Sequence, residues 1–380
     1  MQIEKLSSTI DAKRYLESLG VESGGVKIMG DKIRHHLFYI RNMHVGAANI
    51  LKQDALSIGA DLAVPKGTVT AMTKHVDAIL IATHRQLLEL SRKELAQPFG
   101  LKGLAEELGR HARGHLPGPV QIMGILNAND DSFYAGSRFT GSAAIKAIEE
   151  MIEEGASMID IGAVSSRPGS APVSEDEELE RIRPIVDAIA AQKLCEKAVF
   201  SVDTYMPKVA AYALEGGFRI INDITGLSND EVCRLCGSYG ATAVIMHMKG
   251  EPQTMQADPH YEHLMSDVTA FFDERIEKAE RFGVKDIVLD VGIGFGKTLE
   301  HNLQLIAHME HFLKLGHPLL IGASRKSMID KIIPTPTAER LPGTLAIHLK
   351  SVENGAEIVR CHDVKAHKQA LAVMEAIASV

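Results

Sequence analysis

One strand–helix–strand unit decides the fold of this chain, and it runs from Val199 to Ile224 as VFSVDTYMPKVAAYALEGGFRIINDI. A short apolar strand ends at Asp203, an amphipathic helix follows, and the next strand ends at Asn222-Asp223. The same pattern occurs eight times after residue 120, each time with polar residues at the end of the strand. Those ends are Asn127, Ser165-Ser166-Arg167, Asp203, Asn222-Asp223, His247, Asp290, Ser324-Arg325-Lys326 and Arg360-Cys361-His362-Asp363.

Eight such units predict an α/β fold of the TIM (β/α)8 barrel type, in which all strand ends meet on one face. An open doubly wound sheet would show the same alternation of strands and helices. That fold usually carries a Gly-x-Gly-x-x-Gly turn after its first strand, and this chain has none there. The pattern therefore favours a closed barrel, and the polar groups on its carboxyl face indicate an enzyme.

The composition is that of an ordinary globular protein and argues against several classes. The chain has 380 residues, 45% of them hydrophobic, and a formal net charge of −8, which does not suit general affinity for nucleic acid. It has no run of about 20 apolar residues, so no membrane span is expected. Its start lacks the basic and apolar segments of a secretory signal, and four cysteines are too few for a disulfide scaffold. We therefore expect a cytoplasmic protein with no nucleic-acid and no membrane partner.

Residues 1–115 do not show the repeated strand–helix pattern of the rest of the chain. We predict a small α/β domain there, followed by the barrel over residues 116–380. Apolar residues recur at helical spacing over residues 46–58. Two short strands and a charged helix are predicted at 62–64, 78–82 and 84–96. The Gly- and Pro-rich run 109–118 is predicted to be a linker. This domain shows no phosphate-binding glycine loop and no metal-ligand spacing, so the sequence assigns it no role.

Three strand ends carry groups that could recognise a planar heterocycle. Asp203 and Asp290 each close an apolar strand, and Asn222 closes the strand between them. A carboxylate accepts two parallel N–H donors, and an amide offers one donor and one acceptor group. A structural salt bridge or a loop cap is the alternative for each residue alone, because a buried carboxylate needs a partner. Together the three predict a site for a guanine-like or pterin-like edge.

Basic residues follow the last two strands. Lys326 lies just past strand seven, and Arg360 and His362 alternate on strand eight, so that both point to the same side. The loops after strands seven and eight are the usual phosphate site of this fold. The alternative is that these cations form ion pairs at the barrel rim with Asp363 or Glu357.

Two polar loops, at residues 127–137 and 162–170, are expected to close over a ligand and exclude water. The first begins with Asn127, whose amide oxygen could ligate Mg2+ together with phosphate oxygens. The second carries Arg167 ahead of a Pro-Gly pair. A glycine-rich turn over residues 292–298 lacks the spacing of a nucleotide phosphate loop. We interpret it as a tight turn that lets the backbone and Phe295 approach a ligand.

In chain order, these motifs resemble those of dihydropteroate synthase, a pterin-binding family, over roughly residues 118–380. The matching segments are MGILNANDDSF, GASMIDIGAVSSRPG, SVDTYMPKVA, IINDITGL, MHMKGEPQTMQ, LDVGIGFGKTLEHN, IGASRKSMI and IVRCHDV. The resemblance implies condensation of 6-hydroxymethyl-7,8-dihydropterin pyrophosphate with p-aminobenzoate, which gives 7,8-dihydropteroate and pyrophosphate in folate biosynthesis. It also implies Mg2+ as a cofactor. Barrels of this type often pair through helices on their side, so we expect a homodimer.

The resemblance further implies a role for each candidate residue. The pterin would be bound by Asp203, Asn222, Asp290, Phe295, Lys326 and Arg360. The p-aminobenzoate side, where sulfonamide drugs compete, would be formed by Ser166, Arg167 and Ser324. The pyrophosphate would meet Asn127, Arg360 and His362, with Asn127 as the metal ligand. The catalytic residues would be Asp131, Arg167 and Lys326, with Asp131 on the first loop favouring a cation-like pterin methylene.

The chain departs from the family pattern on both loops. Asn129-Asp130 stands where the family usually has Thr-Pro, and Val164-Ser165-Ser166 where it has Glu-Ser-Thr. These departures bear on p-aminobenzoate and sulfonamide binding more than on the pterin. Two other interpretations of the motifs remain open. A methyltransferase that uses methyltetrahydrofolate would share the two aspartates and Asn222 but would not need the cations, and a non-catalytic pterin-binding protein would have loops that no longer close.

Overall fold

The computed structural model describes residues 12–128, 140–164, 173–250 and 259–378, together with Ile3, Leu6 and Met255. The chain forms two compact units, one of Met1–Gly114 with Ala376–Val380 and one of His115–Glu375. In these described ranges, no helix has the length and apolar character needed to cross a lipid bilayer.

The smaller unit is built on a three-stranded antiparallel sheet. Its strands, in the order β1-β3-β2, are β1 (His35–His44), β2 (Asp61–Ala63) and β3 (His75–Thr83). Its helices are α1 (Ala12–Ser18), α2 (Ser23–Ile33), α3 (Val45–Ser57), α4 (His84–Lys93) and α5 (Leu101–Ala112). Every second residue of β3 is buried, and these residues form a core with side chains from α3, α4 and α5.

The sequence did not predict α1 and α2, and two further features of this unit differ from the prediction. β1 was not predicted, because apolar residues lie on both faces of that strand and hide the period of two. The run 109–118 is not a linker throughout, since its first four residues complete α5. Glycines within α5 suggested an interruption, but Leu101, Ala105 and Leu108 are buried at helical spacing and hold the helix against the sheet.

Eight parallel strands of the larger unit close into a barrel in the order β10-β11-β4-β5-β6-β7-β8-β9. They are β4 (Gln121–Asn127), β5 (Met158–Gly162), β6 (Val199–Asp203), β7 (Ile220–Asp223), β8 (Thr242–Met246), β9 (Ile287–Asp290), β10 (Leu319–Ile321) and β11 (Ala356–Cys361). The helices around them are α6 (Thr140–Glu153), α7 (Glu175–Ala191), α8 (Pro207–Glu215), α9 (Asp230–Tyr239), α10 (Leu264–Arg281), α11 (Leu299–Ala307), α12 (Ser327–Ile332), α13 (Leu341–Glu353) and α14 (Val364–Ala378). The predicted fold class, a TIM (β/α)8 barrel with a small N-terminal α/β domain, is confirmed.

An apolar layer inside the barrel fixes the direction of the side chains that follow it. One buried cluster consists of Met123, Met158, Ile220, Val244, Val288, Leu320 and Ile358, all from barrel strands. Side chains two positions apart on a strand point to the same side. Asp160, Asn222, Asp290 and Arg360 each follow a member of this cluster by two residues, so they form the next inward layer toward the carboxyl ends of the strands.

Candidate active site

Four inward side chains from four strands form one hydrogen-bonded group, which we call the inner-layer network: Asp160, Asp203, Asn222 and Arg360. Nδ2 of Asn222 donates to Oδ2 of Asp160 at 2.9 Å, and Nε of Arg360 donates to the same oxygen at 2.6 Å. Nη2 of Arg360 donates to Oδ2 of Asp203 at 2.9 Å. The network therefore joins β5, β6, β7 and β11 across the barrel mouth.

Asp160 is the member that the sequence did not predict. It lies in the middle of β5 between apolar residues, whereas the sequence prediction rested on polar residues at the ends of strands. Its side chain is fully buried, and among the described residues its Oδ1 has no hydrogen-bond partner. The signal was present, because Asp160 follows the inward Met158 by two positions. Asp160 therefore acts through its other oxygen, Oδ2, which holds Asn222 and Arg360 in place.

The network places like charges close together in a dry environment. Burial raises the pKa of Asp203 to about 7, and the neighbouring charges of Asp160 and Glu178 add to the rise although Arg360 opposes it. Burial lowers the pKa of Arg360, but Asp160 and Asp203 more than compensate, so its net pKa is raised. The guanidinium is therefore a permanent cation, while Asp203 is poised to gain or lose a proton near neutral pH.

A second group lies beside the network and consists of Asp290, Phe295 and Lys326. Nζ of Lys326 donates to the carbonyl oxygen of Ile293 and lies 4.6 Å from the centre of the Phe295 ring. Burial lowers the pKa of Lys326 to about 8, partly offset by the charge of Asp290. Burial also raises the pKa of Asp290, against the effect of Lys326. The group offers a carboxylate, an ammonium and an aromatic face within one small region.

The turn after β9 can approach the site because of Gly292. Its φ is +66°, and a Cβ there would lie 2.0 Å from the carbonyl oxygen of His247. Its N–H donates to Oδ1 of Asp290 at 2.7 Å, which fixes that carboxylate. A side chain at this position would push the turn away and release Asp290.

The turn after β10, residues Ala323–Lys326, which we call the β10 turn, meets the end of β11. Oγ of Ser324 lies 2.9 Å from Nδ1 of His362, and the N–H of His362 donates to the same oxygen at 3.3 Å. The structure thus brings together a residue predicted for p-aminobenzoate and one predicted for pyrophosphate.

The two rim acids that could have paired with Lys326, Arg360 or His362 are bound to other side chains. Asp363 pairs with Arg325, whose Nε and Nη2 donate to its two oxygens at 3.0 and 2.5 Å. Glu357 pairs with His115 instead. Lys326 and Arg360 point to the barrel interior, where Arg360 binds Asp160 and Asp203, so the rim acids do not account for them.

Asn127 closes β4 at the barrel mouth and is half-buried. Within the described residues, no group of three His, Cys, Asp or Glu side chains could hold a metal ion by itself. Mg2+ usually keeps waters and takes one or two protein oxygens together with substrate phosphates. The amide of Asn127 therefore fits a Mg2+ ion that is bound jointly with a pyrophosphate. The predicted residues Asp131, Ser166 and Arg167 lie outside the described residues.

Comparison with models of known protein families shows to which family this chain belongs. The family model described as "Pterin binding enzyme" matches residues 123–362, more than half of the chain. This chain belongs to that family. The matched range contains the whole inner-layer network as well as Asp290, Phe295, Lys326 and the β10 turn.

Three similar proteins extend the comparison. The bifunctional dihydropteroate synthase/dihydropteroate reductase of Helicobacter pylori is 40% identical over 365 residues, which cover 96% of this chain and 96% of that protein. The crystal structure of Yersinia pestis dihydropteroate synthase with a sulfonamide drug complex is 38% identical, covers 69% of this chain and 95% of that one, and has a TM-score of 0.64. The structure of Thermus thermophilus dihydropteroate synthase with 4-aminobenzoate is 39% identical, covers 68% and 95%, and has a TM-score of 0.61.

These matches confirm the resemblance to dihydropteroate synthase that the motifs indicated. The two solved structures match about as much of this chain as the larger unit contains. The Helicobacter pylori protein matches almost the whole chain, so its similarity extends over the smaller unit as well. The barrel is therefore shared with all three, and the smaller unit with the bifunctional one.

Proposed function

We propose that this protein is a dihydropteroate synthase that condenses 6-hydroxymethyl-7,8-dihydropterin pyrophosphate with p-aminobenzoate to give 7,8-dihydropteroate and pyrophosphate. The observation that carries the proposal is the inner-layer network within a region that matches the pterin binding family. The network supplies acceptors for the N–H groups along one edge of a pterin and a donor for its carbonyl oxygen.

The pterin would lie on the inner-layer network with its edge toward the carboxylates. The carboxylates of Asp203 and Asp290 would accept N–H groups, and Asn222 would contribute its amide. Asp160 would hold Asn222 and Arg360 in place. Lys326 would donate to a ring acceptor, and Phe295 would lie near the ring. Because Nε and Nη2 of Arg360 are bound to the carboxylates, we assign Arg360 chiefly to the pterin side.

The reaction exchanges one bond at the pterin methylene carbon. The C–O bond to pyrophosphate breaks and the leaving group keeps the electron pair, while the amine of p-aminobenzoate forms a C–N bond and loses a proton. His362 and Asn127, at the ends of β11 and β4, would stabilise the negative charge that develops on the leaving group. Ser324, hydrogen-bonded to His362, would face the p-aminobenzoate. The roles of Asp131, Ser166 and Arg167 stay predictions.

Mg2+ would be held by Asn127 and pyrophosphate oxygens, and when bound it would neutralise charge on the leaving group. The requirement for Mg2+, the homodimer, the cytoplasmic location and the response to sulfonamides stay predictions. The complex of the Yersinia pestis enzyme with a sulfonamide supports the last of these.

Pyrophosphate release by the full chain tests the proposal. Release is expected only when both substrates are present, with loss of release in Asp290→Asn and normal release in Glu353→Gln. Glu353 is a suitable control because it is exposed and pairs with Lys350 on the surface of α13. A methyltransferase would instead consume methyltetrahydrofolate without releasing pyrophosphate, and a non-catalytic protein would bind the pterin without turnover. Either result would refute the synthase assignment.

The Helicobacter pylori relative favours a second candidate activity. Its name includes dihydropteroate reductase, and its match extends over the smaller unit, whereas the two solved synthases match a barrel-sized share. We propose that the full chain also reduces 7,8-dihydropteroate to tetrahydropteroate, with a hydride from a reduced nicotinamide or flavin and a proton from water.

The reductase proposal is tested with the full chain, 7,8-dihydropteroate and each hydride donor in separate reactions. Oxidation of the donor and formation of tetrahydropteroate are followed together by absorbance and chromatography. Product formation with one donor is expected. Donor oxidation no faster than in reactions without protein, for every donor, would exclude this second activity.

A further inference from the structure

Three polar side chains lie on the buried side of α13, where a barrel helix usually presents apolar residues. Thr344, His348 and Ser351 are each 1% exposed or less. Two of them bind backbone N–H groups of the β10 turn. The hydroxyl of Thr344 accepts from the N–H of Arg325 at 2.9 Å, and Nε2 of His348 accepts from the N–H of Ala323 at 3.0 Å. α13 therefore presents two acceptors that match two donors of the turn.

A second histidine extends this contact to the end of β11. Nδ1 of His348 lies 2.8 Å from Nε2 of His367, and Nδ1 of His367 lies 2.7 Å from the carbonyl oxygen of Asp363. The two ends fix the direction of each hydrogen bond, because the N–H of Ala323 can only donate and the carbonyl of Asp363 can only accept. Each ring therefore carries its single hydrogen on Nδ1. A second proton on either ring would bring two N–H groups face to face.

The β10 turn needs support because Arg325 has a φ of +55°, which is unfavourable for a residue with a Cβ. Nη1 of Arg340, just before α13, donates to the carbonyl oxygen of Arg325 at 3.2 Å. The guanidinium of Arg325 in turn binds both oxygens of Asp363. The contacts form a closed ring, which we call the clamp: it runs from the β10 turn to α13, then to His367, to Asp363 and back to Arg325.

We propose that Thr344, His348 and His367 are positioning residues of the synthase site, which hold the β10 turn so that Ser324 and Lys326 face their substrates. Ser324 and Lys326 flank the strained Arg325, so relaxation of its backbone would move both side chains. The proposal rests on the synthase function for the identity of the two substrates. The clamp itself rests on contacts that do not depend on that identity.

A histidine pair with a purely structural role would stabilise the barrel without changing the KM for either substrate. Burial lowers the pKa of both rings, with His367 adding to the effect on His348, and either role agrees with this. The two roles differ in what happens when the acceptor for Ala323 alone is restored.

The variants His348→Leu and His348→Gln separate the roles. Leucine leaves the N–H of Ala323 without an acceptor, whereas glutamine can offer its side-chain oxygen. We expect the KM for p-aminobenzoate to rise about tenfold in His348→Leu, with a smaller change in kcat, and to return to within about threefold of the wild type in His348→Gln. His308→Gln changes an exposed histidine of the same barrel and should match the wild type. A KM in His348→Leu equal to that of the wild type would overturn the proposal.

Nitrogen-15 NMR of the histidine rings in the full wild-type chain gives a readout that needs no substrate. We expect both His348 and His367 to carry hydrogen on Nδ1 and none on Nε2 near neutral pH. Hydrogen on Nε2 of His348 would contradict the clamp, even if the leucine variant failed to fold. If the chain released no pyrophosphate, the synthase function would fail while the spectrum still decided the clamp. Normal KM values in a folded His348→Leu would remove the positioning role and leave the synthase function intact.

Discussion

The two units of this protein bury charged groups in different ways. In the barrel, Arg360 joins Asp160 and Asp203 into a network that opens toward the strand ends. In the smaller unit, the fully buried Glu94 lies beside Asp54, which pairs with Lys93 at 2.9 Å. The exposed face of its sheet carries large apolar side chains, with Leu37 72% and Tyr39 56% exposed.

This contrast shows in which kind of fold a sequence pattern can locate a functional site. Parallel strands of a barrel send alternate side chains to one shared interior, so polar residues that are distant in sequence must meet there. An antiparallel sheet of three strands has no such interior, and its polar residues remain local. The barrel geometry therefore locates a site, whereas a role for the smaller unit is proposed only from the similarity to the Helicobacter pylori protein.

The largest expected effect comes from Asp160→Asn. The change removes the charge that holds both Arg360 and Asn222, and loss of one partner from a buried pair costs about 3–5 kcal/mol. We expect kcat/KM for pyrophosphate release to fall by roughly three orders of magnitude. Asp187→Asn, an exposed carboxylate bonded to Tyr212, should leave kcat/KM unchanged. Near-normal turnover by a folded Asp160→Asn would mean that the network is not the pterin site.

A change in the smaller unit should affect stability rather than turnover. Burial and the charge of Asp54 raise the pKa of Glu94 from 4.5 to about 7, so the folded unit holds this proton more tightly than the unfolded chain does. Stability from this group is complete below pH 4.5 and is lost as the pH rises through about 7. We expect the free energy of unfolding of this unit to fall by roughly 1–3 kcal/mol over that range.

This loss is measured by urea unfolding of the wild type and of Glu94→Gln at several pH values, with hydrogen exchange of amides in the smaller unit as the detection method. The substitution should remove the pH dependence, because glutamine does not titrate. Glu106→Gln, an exposed residue with a weak 4.0 Å pair to Lys102, should retain it. If the free energy of unfolding had the same dependence on pH in all three proteins, Glu94 would not carry this proton. Pyrophosphate release should be equal in all three.

The barrel and its strand-end residues could be predicted because each of their signals is local. Asp203, Asn222 and Asp290 directly follow apolar strand residues, and one strand–helix unit repeats along the chain. Asp160 could have been found by counting two residues from the inward Met158 instead of searching at strand ends. No pattern in the sequence leads to His348 and His367, because they lie on different helices and meet only in the folded chain.

Two other elements, α12 and β1, were not predicted from the sequence, for different reasons. α12 has only six residues, too few to show a helical period. In β1, apolar residues on both faces removed the alternation that identifies a strand. Asp131, Ser166 and Arg167 lie outside the described residues, and their roles stay predictions.

The pH dependence of kcat/KM should be confined to the barrel. Asp203, with a pKa of about 7, becomes protonated on the acid side and loses its acceptor, and Lys326, with a pKa of about 8, loses its charge on the alkaline side. A bell-shaped profile is expected, with a decline of about tenfold per pH unit on each side. Lys326→Arg should move only the alkaline limb upward, and the surface substitution Lys350→Arg should move neither. An alkaline limb that is unchanged in Lys326→Arg would mean that another group titrates there.

The smallest effect is expected from removing the smaller unit, in a chain that begins at His115. The inner-layer network, the β10 turn and the clamp all lie within His115–Glu375. The two solved synthases match 69% and 68% of this chain, about the size of the barrel unit, and this match covers 95% of each of those proteins. Titration calorimetry with pterin pyrophosphate should therefore give an affinity within about threefold of that of the full chain. Reduction of dihydropteroate, in contrast, should be lost with the smaller unit if that unit is required for it. Loss of pterin binding would instead make the smaller unit part of the synthase site, and the contrast between the two units would then no longer separate their functions.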